Sequence, residues 1–167
     1  MIARILTGVV PILIRPAGTA DLPVLGQLGA QLMRVHHDFD TQRFLSPGAD
    51  PAGGYARFLG SRIEHKDGLV LVAERDGDVI GYVYAAIEPL SWKELRDEAG
   101  FIHDLVVDPA HRGSGAGSQL LDAALEWLRD RGMPRVMLCT AEQNAGAQRL
   151  FARHGFRRTM VEMTREL

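Results

Sequence analysis

From Asp108 to Ser118 the chain reads Asp-Pro-Ala-His-Arg-Gly-Ser-Gly-Ala-Gly-Ser. Three closely spaced glycines at a strand-to-helix junction let several backbone N–H groups point inward together, and the helix behind them adds partial positive charge. Such a cradle holds a phosphate or pyrophosphate; a flexible turn is the plainer reading of the same residues. The loop is no P-loop, since no Gly-Lys-Ser/Thr follows. Gly113, Gly115 and Gly117 lie two apart, which differs from G-x-G-x-x-G. Upstream, His103 lies on the strand that leads into the loop. Imidazole is largely neutral at pH 7 and can accept a proton. Strict alternation puts His103 on one face with Phe101, Leu105 and Val107, and Asp104 on the other. A histidine satisfied by a backbone carbonyl is the competing reading. Cys139, the sole cysteine, excludes an internal disulfide and a cysteine-built zinc site. It reads as a small buried apolar residue rather than a nucleophile, and no metal site is expected.

The elements that must position these groups follow from periodicity. Ile12 to Arg15 reads as a short strand. Thr19 can cap a helix with Leu22, Leu25, Leu28, Leu32 and Val35 at helical spacing. Residues 41–54, rich in proline and glycine, read as a loop. Tyr55, Phe58, Leu59 and Ile63 make the stripe of a second helix. Leu69 to Glu74 and Val79 to Ile87 flank Asp76-Gly77, a hairpin signal. Residues 88–100 read as a polar, partly helical connection, and Phe101 to Val107 as a third strand. The glycine loop opens a helix with Leu120, Leu121, Ala124, Leu125 and Leu128 inward, stopped by Gly132 and Pro134. Val136 to Thr140 is a strand, Asn144 caps a last helix, and Phe156 to Thr164 is strand-like. The order βααβββαβαβ implies an α/β fold with a mixed, mainly antiparallel sheet of six to seven strands and about four helices on its faces.

At 167 residues the chain is expected to be one domain over 1–167, with 1–11 as an extra N-terminal strand or extension. Apolar residues at 46% and charged residues at 24% exclude a disordered or collagen-like chain. The longest apolar run is too short to span a bilayer, and no signal peptide is read at the start, so a cytoplasmic location is expected. The net charge of −2 argues against a polyanionic partner. Residues 37–100 carry twelve acidic and seven basic side chains, whereas 129–167 carry four and eight. This asymmetry suits either solvated surface on both halves or an acidic patch for a cationic substrate beside a basic one for an anionic cofactor.

Arg112-Gly-Ser-Gly115-Ala-Gly117 fits R/Q-x-x-G-x-G/A behind a strand that ends in Val-Asp-Pro. Twenty-seven residues past Gly117 comes Asn144-x-x-Ala147-x-x-x-Phe151-x-x-x-Gly155-Phe156. These paired motifs, with the opening Ile14-Arg15-Pro16-Ala17, resemble the GNAT superfamily of N-acetyltransferases over about residues 12–167. The resemblance implies a GNAT-like fold, acetyl-CoA as cosubstrate, and transfer of the acetyl group to a primary amine of a small molecule or peptide by direct attack on the thioester. It places the CoA pyrophosphate on the amides of Gly113, Ser114, Gly115, Ala116, Gly117 and Ser118, behind Arg112. It places the pantetheine arm on the main chain of Leu105, Val106 and Val107, and a further cofactor contact at Asn144, which also suits an N-cap. His103 occupies a position where some relatives carry a Glu or His that removes the amine's proton. Asp104 matches an acidic residue of the diamine enzymes.

Phe151 departs from the pattern, since many relatives carry a Tyr there, beside the cofactor sulfur, to protonate it. A water, Tyr82, Tyr84 or His154 is left to serve. The oxyanion falls to a strand amide, Val107 N–H or its neighbour. The acceptor region includes His36, His37, Asp38, Asp40 and Glu88 to Glu98, where carboxylates would favour a cationic amine. Trp92 lines a pocket or covers the sheet edge. Phe151 motivates a rival, a non-catalytic acyl-CoA-binding or sensing module; an enzyme holding another nucleotide phosphate on the loop is a second. No nucleic-acid or membrane partner is expected, and a homodimer through the C-terminal strand is one arrangement the sequence allows.

Overall fold

A computed structural model describes residues 10–167. The expected N-terminal extension falls largely outside the described residues; Val10 and Pro11 belong to no strand. Five strands form one mixed sheet in the order β1-β2-β3-β4-β5: β1 Leu13–Pro16, β2 Gly68–Arg75, β3 Asp78–Glu88, β4 Ala99–Val107 and β5 Val136–Leu138. The first three pairings are antiparallel and β4–β5 is parallel. Four helices accompany them: α1 Leu22–Phe39, α2 Pro51–Ile63, α3 Ala116–Asp130 and α4 Ala145–Arg153.

The β2–β3 hairpin turns on Asp76 and Gly77, both at positive φ (55° and 86°), the backbone that a two-residue turn between right-twisted strands needs. Strand β3 is buried from Ile80 to Ala86, because helices cover both faces of the sheet. On one side α1 and α2 bury Leu25, Leu28 and Leu59 against Val72, Tyr82 and Val106. On the other, α3 buries Leu120, Leu121 and Leu128 against Ile80, Val83 and Ile102.

Helix α1 and helix α2 meet closely. A Cβ at Gly26 would run into the Ala52 carbonyl oxygen and Ala56, and one at Gly29 into the Tyr55 ring. Gly54 on α2 faces open space. Gly26→Ala is therefore expected to destabilise by about 1–3 kcal/mol through overpacking. Gly54→Ala should stabilise by about 0.5–1 kcal/mol, since helix propensity acts there alone. Urea midpoints of the two variants read the opposite signs.

The start of α1 is fixed by charge. Arg15 donates to both Asp21 carboxylate oxygens, at 2.8 and 3.0 Å, and to Glu74 at 2.8 Å, while Gly18 N–H also donates to Asp21. The Arg15 guanidinium holds the Asp21 carboxyl below the usual carboxylate range. A carboxyl whose folded pKa is depressed contributes stability above its unfolded pKa and loses it as pH falls through the folded value. Stability should thus decline as pH drops below about 4, and Asp21→Asn should flatten that limb in acid-unfolding curves.

The structure departs from the sequence reading in several places. Residues 19–21 form a short 3₁₀ turn, and Asp21 rather than Thr19 stands at the N-cap of α1. Helix α2 begins at Pro51, inside the expected loop, because Asp50 accepts from Gly53 N–H and Pro51 suits the first turn. The 88–98 connection is a turn closed by a Ser91–Arg96 bridge rather than a helix. Strand β5 stops at Leu138, and the described chain has five strands rather than six to seven, because residues 156–167 join no strand. Alternation in that tail sets Phe156 and Met160 with Arg158 and Glu162, and Val161 and Met163 with Arg157, so neither face is uniformly apolar. Without an apolar face, pairing on β5 would bury charge.

Candidate functional site

Strands β4 and β5 pair only at Gly100–Ile102 with Val136–Leu138. Beyond Ile102 no strand among the described residues lies beside that edge of β4, and a cleft opens. Asp108 N–H donates to Ile80 C=O across the β3 side at 2.9 Å. Alternate residues Val107 and Leu105 therefore turn their N–H and C=O groups toward the cleft. Arg112 Nε reaches the Val107 carbonyl at 3.3 Å from that side. Val106 instead pairs with Tyr82 on β3 and buries its side chain against α1 and α2.

The glycine loop closes the cleft at the end of β4. Gly113 and Gly115 have φ of +77° and +89°, and Gly115 is the left-handed N-cap of α3. Only glycine takes that backbone without strain. Ser114 Oγ accepts from Ala116 N–H at 3.4 Å. Ala116 is buried, which anchors the helix start, while Gly117 packs near Val107 and Leu150. The first-turn amides of α3, Gly117 and Ser118 among them, have no acceptor within the helix. Their geometry fits an anionic group: positive helix end, left-handed glycines and no side chain over Gly113.

At the other end lies a cavity of about 490 Å³, walled by α1, the segment after it, β4, the end of β5 and α4. A break in the β3–β4 register sets its chemistry. Tyr84 faces Asp104 and Ala85 faces Ile102, so His103 is the extra residue of a β-bulge. Ile102, Leu105 and Val107 join the core under α3, whereas Asp104 and Val106 lie on the α1–α2 side. The expected face is corrected accordingly. His103 shares its side with Phe101, not with Leu105 and Val107, and Asp104 is not on the opposite face. Both His103 and Asp104 line the cavity.

His103 is sandwiched between Tyr84 and Phe101, with ring centroids 4.8 and 4.9 Å away. Its Nε2 meets Glu88 Oε1 at 2.8 Å, so a neutral ring donating to Glu88 keeps the Nδ1 lone pair for a proton. Asp104 is 9% exposed. Tyr82 OH donates to its Oδ2 at 3.0 Å, and Tyr55 on α2 shares the same cavity wall. Burial pushes the Asp104 carboxyl above the usual range, and burial with that nearby charge pushes the Tyr55 and Tyr82 phenols up. The tyrosines are donors here, not bases.

Asn144 Oδ1 accepts from Ala147 N–H at 3.1 Å, an N-cap on α4, and the residue also lines the cavity. Phe151 packs edge-on against Phe156 at 5.8 Å and presents only its ring to the cavity. Cys139 is exposed at the cavity wall rather than buried in the core, because β5 ends one residue before it. Partial burial raises its thiol, which disfavours a thiolate. Arg43, also on the wall, pairs with Glu162 and ties the tail across to the segment after α1. Glu88 as the partner of His103, and Tyr55 and Tyr82 as neighbours of Asp104, were not singled out from sequence. The readable signal for Glu88 was an acid directly after the expected strand Val79 to Ile87.

Trp92 is 84% exposed and Leu95 88%; neither lines this cavity. Among the described residues no helix is long and apolar enough to cross a membrane.

The acetyltransferase (GNAT) family model matches residues 32–156. The N-acetyltransferase YhfO of Bacillus subtilis, itself uncharacterised, is 30% identical over 145 residues, 86% of this chain and 88% of that one. Mycothiol acetyltransferase of Thermomonospora curvata is 38% identical over 94 residues, 56% of this chain; the chain spans only 29% of that protein's length. Among solved structures, the aminoglycoside N-acetyltransferase AAC(6')-Iy in complex with CoA has the same fold, with a TM-score of 0.76 at 19% identity over all of this chain and 99% of that one. With the family model matching most of its length and a relative 30% identical along nearly all of it, this chain belongs to the acetyltransferase (GNAT) family.

Proposed function

We propose that this protein is an acetyl-CoA-dependent N-acetyltransferase that acetylates a primary amine by direct attack on the thioester. The observation that carries the reading is the cleft. An anion-binding loop at one end and a histidine–carboxylate pair at the other are joined by an unpaired strand edge. CoA's pyrophosphate would lie on the amides of Gly113 to Ser118, with Arg112 beside them. Its pantetheine arm would add to the open edge of β4 through Leu105 and Val107, as a strand adds to a sheet. Asn144 and Phe151 would flank the thioester from α4.

In the transfer step the amine nitrogen bonds to the acetyl carbon and the C–S bond breaks. His103, oriented by Glu88, takes the proton from nitrogen. The oxyanion falls to a β4 amide. Leu105 N–H suits this better than the expected Val107, since Leu105 lines the cavity and Val107 does not. Phe151 has no proton to give, and CoA leaves as a thiolate, tolerable for a thiol of pKa about 8.5.

Phe151 in place of an acid also supports a second reading, an acyl-CoA-binding module that transfers nothing. Calorimetric titration of acetyl-CoA and CoA, followed by a thiol-release assay across a primary-amine panel, separates the two. Binding with release from an amine supports the transferase. Binding without release from any amine supports the module, and no binding removes both.

A further inference from the structure

Asp104 has a feature that proton removal by His103 does not require. Its carboxylate is buried at the cavity wall, and no lysine or arginine pairs with it among the described residues. The groups facing it are Tyr82 from β3, Tyr55 from α2, His36 from α1 and the adjacent His103. Two are phenols that stay neutral. His36 Nδ1 lies 2.9 Å from the Leu32 carbonyl, so the hydrogen on that nitrogen is directed to the backbone and not to Asp104. A buried carboxylate with no lysine or arginine beside it is costly to the folded protein. The missing positive charge is one that a ligand in the cavity can bring.

The surroundings narrow that ligand. On the α1 side the wall is Leu32, Met33, Phe44 and Leu45, with His36 and Arg43 among them. The four apolar side chains offer an entering molecule contact without hydrogen bonds, and Arg43 is already paired with Glu162, which suits a carbon skeleton rather than a polyhydroxylated one.

We infer that Asp104 is the counter-charge for the acceptor, which enters as a primary ammonium carried on an apolar body. This rests on the transferase reading of the same cavity and adds the substrate class. The bulge at His103 serves both steps. It turns the residue that binds the ammonium and the residue that removes its proton into one cavity, where regular alternation would separate them.

The test compares 2-phenylethylamine, a cation at neutral pH, with the neutral isostere 2-phenylethanol. Each is titrated into wild-type protein with and without CoA. The amine should bind at least about tenfold more tightly than the alcohol. Asp104→Asn should bring the ratio close to one, while Tyr82→Phe, which keeps the carboxylate, should retain a clear preference. Equal binding of the two ligands to wild type overturns the inference without any variant, as does failure of the amine to bind at millimolar concentration. A preference that survives in a folded Asp104→Asn protein also overturns it. Thermal melts add a readout: removing an unpaired buried charge should leave Tm unchanged or raise it, whereas a structural carboxylate would lower it. Thiol release is scored separately. Amine preference without release rejects the transferase and keeps the cation site; release from neutral aniline as fast as from phenylethylamine rejects the cation site and keeps the transferase.

Discussion

His103→Ala is expected to lower kcat at pH 7 by about 10²–10³-fold, the usual contribution of a positioned general base. CoA affinity should stay within about threefold of wild type, because His103 lies on the cavity and not on the glycine loop. The ring's hydrogen bonds prepare it for this role. Glu88 Oε1 is 2.8 Å from Nε2 and, as a carboxylate, can only accept. It therefore selects the tautomer with hydrogen on Nε2 and a bare Nδ1. It also stabilises the imidazolium once the proton arrives. Tyr84 and Phe101 hold the ring plane by stacking. Glu88→Gln keeps the size but loses the charge, so a smaller loss in kcat, about tenfold, is expected. A structural histidine would also lower activity on truncation, so the decisive readout is chemical. Added imidazole should restore part of the activity of His103→Ala and none of the deficit of a variant elsewhere in the core. A fall in CoA affinity equal to the fall in kcat, or no rescue, assigns His103 to packing.

Much of this arrangement was written in the sequence. The Asp76-Gly77 turn, the apolar stripe of α3 and the paired motifs around Gly115 and Asn144 each depend on local chemistry, and each formed where expected. What escaped is non-local. The face of Asp104 depends on a one-residue slip between β3 and β4. Period-two alternation assumes a slip does not exist, and nothing at His103 itself, neither glycine nor proline, announces one. The division of labour along β4 was hidden for the same reason. Whether Val106 or its neighbours face the cleft depends on which edge β3 occupies. The tail misled because Met160, Val161 and Met163 look like strand residues, yet the charged residues alternate out of phase with any single buried face. Cys139 reads as core by composition, but a three-residue strand ends before it and leaves it on the cavity wall. The Glu88–His103 pair needed only the correct pairing of two strands, both of which the sequence did indicate.

Gly115→Glu should weaken CoA binding by at least about 10²-fold. Gly115 caps α3 in the left-handed region at φ +89°, and the nearest atom to an added Cβ is Gln119 Nε2 at 3.7 Å. The side chain thus has room within its own protein, and two effects remain. Backbone strain for a non-glycine residue here costs about 1–2 kcal/mol. Gly115→Ala carries that strain without charge and should weaken CoA by about tenfold or less. Glutamate adds a negative charge where the pyrophosphate is proposed to lie. Two unit charges about 4 Å apart repel by about 4 kcal/mol at an effective dielectric of 20, and this decides the outcome over strain. Because the repulsion is partly solvent-exposed, the gap between the glutamate and alanine variants should shrink as salt is raised toward 1 M. Calorimetry of CoA against both variants at two salt concentrations reads each part. Should Gly115→Glu bind CoA within about threefold of Gly115→Ala, the loop does not hold the anion, and the orientation of the cosubstrate along β4 falls with it.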